Sequence, residues 1–191
     1  VQYQYSADGT DLSKIAAVSD VLIAAVGETK EESGEAASRA DITLKPKDME
    51  LVRALKATGK PVVAVLFNGR PLAIPELDRT VPAIVEAWHP GIYAGSAVMH
   101  VLFGITNPSG KLTTTFPAAA GQCPMYYAHQ NTGRPGGKSK FTSKYLDAPT
   151  EPLYPFGYGL SYTDYTYEDL ELEKGKDSLL VRVTVRNTGK K

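Results

Sequence analysis

The chain has 191 residues, 21 basic and 21 acidic side chains, and a formal net charge of zero. That balance offers no broad field to nucleic acid or an anionic membrane surface, while 42% hydrophobic and 22% charged residues exclude a disordered chain and allow a buried core. The single cysteine, Cys123, rules out an internal disulfide framework and a multi-cysteine zinc site. No apolar run approaches the ~20 residues that span a bilayer, and Val1–Gly9 lack the basic start and apolar block of a leader peptide.

Along the chain, helix-like and strand-like stretches alternate. Asp11 to Ser19 opens on a capping residue and sets Leu12, Ile15 and Ala16 on one side of a short helix. Val21 to Val26 is an unbroken apolar run ended by Gly27, the pattern of a parallel strand covered on both faces. A polar, acidic loop follows from Glu28 to about Lys45. Pro46 opens a helix to Thr58, with Asp48 in its first turn, Met49, Val52 and Leu55 as its apolar stripe and Gly59 as its stop. Val62 to Phe67 reads as the second buried strand, Asn68-Gly69-Arg70-Pro71 as the loop that ends it, and Ala83 to Trp88 as a third strand.

Ala94, Ala97, Val98, Val101 and Leu102 recur with helical spacing and predict an amphipathic helix. Asn107-Pro108-Ser109-Gly110 is a turn, and Lys111 to Phe116 is expected to be a further strand. From Pro117 to about Pro155 the pattern dissolves into glycine, proline, lysine and tyrosine, a length that marks a functional or mobile segment. Tyr165 to Glu173 and Ser178 to Asn187 then alternate with period two, predicting half-buried antiparallel strands joined around Lys174-Gly175-Lys176. An isolated hairpin is marginal in water, so these strands read as the start of a β-sandwich whose remainder is missing. The expected fold is α/β: an open, mostly parallel sheet with helices on both faces, an α/β sandwich over residues 1–160, then a truncated β-hairpin from an all-β domain over 161–191.

Chemistry-bearing patterns are few. Glu28, Glu31, Glu32 and Glu35 crowd the loop after the first buried strand, at the edge where open α/β sheets bind ligands. Like charges held close raise the pKa of some members and keep a carboxylic acid protonated near neutrality; the plain alternative is a solvated loop without chemistry. Gly104 to Lys111 fails as a phosphate loop, having five residues between its glycines and Leu112 after the lysine, and no Gly-x-Gly-x-x-Gly occurs. His89, His100 and His129 match no metal spacing, and Cys123 has no evident base. No cofactor and no metal are therefore expected. Trp88-His89-Pro90-Gly91 and the ring-rich Tyr154 to Tyr162 suit either a carbohydrate cleft or packing, and the glycines of the second segment favour packing.

At these residues the chain resembles the C-terminal α/β domain of glycoside hydrolase family 3. The resemblance is carried by Val26-Gly27-Glu28, Ser33-Gly34-Glu35-Ala36-Ala37-Ser38-Arg39, Gly59-Lys60-Pro61-Val62-Val63, Asn68-Gly69-Arg70-Pro71, Glu86-Ala87-Trp88 and Asn107-Pro108-Ser109-Gly110-Lys111-Leu112. Tyr154-Pro155-Phe156-Gly157-Tyr158-Gly159-Leu160-Ser161-Tyr162-Thr163 is its strongest part, and Asn131-Thr132-Gly133-Arg134-Pro135 resembles the bacterial β-glucosidase/β-xylosidase branch.

The resemblance implies a retaining, exo-acting β-glycosidase whose nucleophilic aspartate lies on a preceding (β/α)8 barrel absent from this chain. It implies that Glu35 is the general acid/base, with Glu28, Glu31 and Glu32 as its near competitors, and that a fibronectin-III-like domain begins near the C-terminus. It further implies a β-linked oligosaccharide or glycoside substrate, the missing barrel as a partner in the same protein, and a periplasmic or secreted location. A domain without its nucleophile is expected to be inert by itself. Two other readings stand beside it: a non-catalytic carbohydrate-binding or scaffolding α/β domain, and, at the level of fold alone, a nucleotide-binding domain.

Overall fold

A computed structural model describes Ser6 and residues 11–191; most of Val1–Gly9, where the sequence was read for a leader, lies outside the described residues. The chain divides into two compact units, one holding the residues up to Ala94 together with Leu112–Tyr158, the other Gly95–Lys111 with Gly159–Lys191.

The first unit is built on a parallel three-stranded sheet in the order β1-β2-β3, with β1 at Leu22–Gly27, β2 at Val62–Phe67 and β3 at Ala83–Glu86. Helix α1 is Leu12–Ala17, α2 (Pro46–Ala57) joins β1 to β2, and α3 (Pro75–Thr80) joins β2 to β3. Parallel neighbours need such crossovers because a strand must return to its starting end. Register aligns Ala24 with Ala64 and Ala64 with Ile84, so alternate residues of all three strands share a face.

On that face Leu22, Ala24, Val26, Val62, Ala64 and Leu66 meet Met49, Val52 and Leu55 of α2, all buried. Each fully buried aliphatic side chain contributes about 1.5–3 kcal/mol. The opposite face of β1 is less enclosed, Ile23 being 48% exposed, so the unbroken apolar run is covered more completely on one side than on the other. The α2 stripe, the proline start and the glycine stop are as the sequence reads, with Gly59 at φ +77°. Asp11, expected to cap α1, sits at φ +59° and makes no side-chain cap bond.

Two elements differ from expectation. Helix α3 is absent from the sequence reading, since six residues with one apolar core contact, Leu77, carry no visible periodicity. Lys111–Phe116 is not a strand. It forms one antiparallel bridge, Phe116 with Tyr154, and scattered backbone bonds such as Leu112 N–H to Tyr158 O at 2.8 Å. Its partner segment carries Pro152, Pro155 and the positive-φ Gly157, which interrupt a ladder. The aromatic residues of this region pack on one another. Trp88 lies 5.7 Å from Phe116, Phe116 6.1 Å from Tyr154, and Tyr154 stacks on Tyr158 at 5.0 Å between centroids. The Tyr154 hydroxyl also donates to Asp78 Oδ1 of α3. Within the long irregular segment, Gln122 is buried and accepts from Ala118 and Ala119 N–H while donating to Pro149 and Glu151 O.

The second unit contains most of α4 (Ala94–Leu102) and an antiparallel hairpin of β4 (Tyr165–Lys174) and β5 (Leu179–Asn187). Asn107 holds its connections, pairing with Ser161 Oγ and accepting Tyr162 N–H at 2.7 Å, while Tyr162 Oη donates to Val101 O. The hairpin is placed as its alternation predicts, but neither of its faces is buried. Val181, Val183 and Val185 are 54%, 48% and 52% exposed, because no described residue covers the apolar row. No helix of the described residues is long and apolar enough to cross a membrane.

Candidate active-site loop

Parallel strands end on one edge, and three segments leave it together: Glu28 after β1, Asn68-Gly69-Arg70 after β2 and Ala87-Trp88-His89 after β3. Open α/β sheets bind ligands along this carboxyl edge. Gly27 forms the first exit at φ +135°, where a Cβ would lie 2.1 Å from Phe67 O. Its N–H donates to Asp48 Oδ2 at 3.2 Å, tying the start of the loop to the first turn of α2.

Glu28 is the root of the loop, and its side chain has no solvent exposure. Oε1 lies 3.0 Å from Arg39 Nη1 and 2.8 Å from Arg70 Nε, the latter an ion-pair contact off the N–H direction. Oε2 accepts the Gly69 N–H at 3.0 Å. A carboxylate is tolerated in such a place only when paired and hydrogen-bonded, and two guanidiniums with one amide supply both.

Arg70 continues past Glu28 into the loop, its Nη2 donating to the carbonyls of Glu32 and, at 2.8 Å, of Ala37. Arg39 Nη2 donates to Thr43 O at 3.2 Å. Glu32 faces Lys45 at 2.7 Å and takes the Thr29 N–H at 2.8 Å. The Lys45 hydrogen bond first, then the Thr29 amide, hold the Glu32 carboxyl down to about 2 against a smaller desolvation. Ser33 rests against Gly69, where a Cβ would come within 1.9 Å of Ser33 Oγ, and His89 Nε2 lies 3.3 Å from the same hydroxyl.

Between Glu32 and Ala37 the chain arches through Gly34 at φ +114° and Ala36 at φ +57°. A non-glycine residue holds that second conformation at a cost of order 1 kcal/mol. Glu35 stands between them, exposed, and its carboxylate has no ion-pair or hydrogen-bond partner among the described residues.

The expectation of a mutually repelling acidic cluster is thus corrected. Glu28 is matched by two arginines, Glu32 by Lys45 and Glu31 by Lys30 at 3.6 Å, so cations separate the carboxylates. The carboxyl displaced upward is Glu86, at the end of β3. Burial raises it to about 7, opposed by hydrogen bonds from Trp88 N–H at 2.8 Å and Asn68 Nδ2 at 3.3 Å. Asn68 is fully buried, also donates to Arg70 O at 2.8 Å, and leaves its own Oδ1 without a partner. In the sequence, Asn68 and Arg70 figure as a strand-ending loop, Glu86 as part of a strand, and all three as pieces of a resemblance, with no role assigned to any of them. Their available signal was position, as polar residues directly after apolar strands at the carboxyl edge.

His100 is exposed on α4 and His129 sits against Tyr126 O, so neither joins the site. Among the described residues no group of three or more His, Cys, Asp or Glu is arranged to hold a metal.

Comparison with known proteins adds sequence and fold relatives. The glycosyl hydrolase family 3 C-terminal domain matches residues 6–162. A periplasmic beta-glucosidase of Salmonella typhimurium is 50% identical over 181 residues, covering 90% of this chain and 23% of the relative. A beta-xylosidase of Formosa agariphila is 42% identical over 178 residues, covering 90% of this chain and 24% of the relative. Among solved structures, the beta-glucosidase of Listeria innocua in complex with gluconolactone superposes with a TM-score of 0.88 at 42% identity, over 96% of this chain and 27% of that one. The chain therefore spans about a quarter of the length of the relatives it matches.

Proposed function

Because the chain belongs to glycosyl hydrolase family 3, as its C-terminal α/β domain, we propose that it is the acid/base half of a retaining, exo-acting β-glycosidase of β-glucosidase type. Glu35 is the proton donor. It protonates the departing glycosidic oxygen, then takes a proton from the water that releases the sugar. The nucleophile is an aspartate on a (β/α)8 barrel elsewhere in a longer polypeptide, so this chain alone does not turn over substrate. Retention requires the two carboxyl groups about 5–5.5 Å apart when the parts are assembled.

One observation carries the reading: of the four loop carboxylates, Glu35 alone is held out on a positive-φ arch with no cation against it. Glu28 and Glu32 are engaged by arginine and lysine and have no freedom to meet a substrate. The substrate is a β-linked oligosaccharide or glycoside, and the protein works in the periplasm or outside the cell, in keeping with the name of the Salmonella relative. The α/β domain runs to about residue 160, and the hairpin with its exposed apolar row opens a fibronectin-III-like domain.

Kinetics of Glu35→Ala in the longer protein test the assignment. Hydrolysis of glycosides with poor leaving groups should fall roughly 100- to 10,000-fold, while activated aryl glycosides keep kcat/KM and azide restores their turnover. Unchanged hydrolysis of poor substrates would remove Glu35 from the mechanism.

A further inference from the structure

Resting on the reading of Glu35, we infer that Arg70 is the positioning residue of the acid/base arch, clamping its two ends so that the carboxyl at its tip is presented in one geometry. The arch has two feet, Glu32 and Ala37, and a single nitrogen, Arg70 Nη2, binds the carbonyl of each. Between them Gly34 and Ala36 have positive φ, and the segment forms no ladder or helix, only a turn bond from Ala37 N–H to Gly34 O at 3.3 Å. With the feet pinned to one guanidinium, the arc has few ways to relax.

Arg70 is itself held on three sides. Its Nε sits 2.8 Å from the solvent-free Glu28 carboxylate, its carbonyl receives Asn68 Nδ2 at 2.8 Å, and the Gly69 N–H before it is bound by Glu28 Oε2 at 3.0 Å. Glu28 is shared with Arg39, which reaches on to Thr43 and so secures the far side of the loop. Arg70 makes no contact with the Glu35 carboxylate and acts only through the backbone that bears it. Lysine cannot replace it: an ammonium offers a charge to Glu28 but no rigid fork spanning a carboxylate and two carbonyls.

The test uses Arg70→Met and Arg70→Lys in the longer protein that carries the barrel. Arg39, 3.0 Å from Glu28, is unchanged in both, so the root carboxylate keeps a partner. Across aryl β-glycosides of graded leaving-group acidity, kcat/KM should fall roughly 10- to 100-fold for the poorest leaving groups and less than about threefold for the best, a steeper leaving-group dependence, in line with the cost of misplacing a catalytic group by about 1 Å. Both variants should behave alike, and amide hydrogen exchange should speed up in Ser33–Ala37 but not in Val62–Phe67. A uniform loss across all leaving groups, a wild-type slope for Arg70→Lys, or unchanged exchange in the arch overturns the proposal. Glu35→Ala is measured alongside. If that variant hydrolyses poor substrates normally, the acid/base reading has failed and the positioning role falls with it, while faster exchange in the arch traces the failure to Glu35 and not to the clamp.

Discussion

At the root of the loop, Glu28 is sealed from solvent between Arg39 and Arg70, whereas at its tip Glu35 stands exposed between two positive-φ residues. Both are glutamates in one acidic stretch, yet they are suited to opposite tasks. A buried, doubly paired carboxylate is immobile and serves as a fixed point for the chain, and removing it leaves two guanidiniums facing a dry pocket. An unpaired carboxylate at a tip contributes little to stability but is free to exchange a proton with a ligand. Root and tip are coupled through the Arg70 side chain, which binds Glu28 by one nitrogen and the feet of the arch by another.

That contrast predicts separable mutant phenotypes. The largest stability effect belongs to the root: Glu28→Ala should cost about 3–5 kcal/mol in urea unfolding, monitored through the single Trp88. Glu35→Ala should stay within about 0.5 kcal/mol of the parent. Equal losses at the two positions would erase the distinction.

The next effect lies beneath the root. Glu86 has its carboxyl raised from 4.5 to about 7 by burial, so the folded chain holds a proton there that the unfolded chain has released. The associated stability is fully present below pH 4.5 and is lost as pH rises through about 7, an interval corresponding to about 3 kcal/mol. Glu86→Gln should flatten the stability profile across that window, and a profile equally steep in the variant would contradict the burial argument.

The smallest effect is expected at Lys45→Met. Glu32 is held down to about 2 chiefly by Lys45, so its contribution is present above pH 4.5 and is lost as pH falls toward 2. Without the lysine, the acid loss of stability should shrink, with a change below about 1 kcal/mol at neutral pH for a pair whose side chains still reach solvent. An unaltered acid limb would show that Thr29 and Arg39 hold the charge without it.

Much of the α/β unit was readable in advance because its signals are local. Val62–Phe67 is apolar throughout, α2 has its proline, stripe and glycine, and β5 alternates valine with arginine and threonine. The short helix α3 was not readable, because six residues make too little of a period. Lys111–Phe116 was misread because its pairing depends on a proline- and glycine-broken partner about forty residues away. Alternation in the hairpin identified strands but not burial, since burial depends on what lies opposite. Glu35 was reached by resemblance, whereas the clamp was not, as Glu28 and Arg70 stand forty-two positions apart and neither local pattern points to the other.

The amino-acid order alone determined where β1, β2, α2 and the hairpin strands run, and which loop at the carboxyl edge of the sheet holds the acidic residues, because backbone preference and apolar periodicity act between near neighbours. The tertiary fold alone decided what each carboxylate became. Glu28 is buried between two arginines, Glu32 is lowered by Lys45, Glu86 is raised by burial, and Glu35 is left free at the tip. Desolvation and Coulomb attraction depend on distances in space, and those distances exist only once remote segments have been folded onto one another.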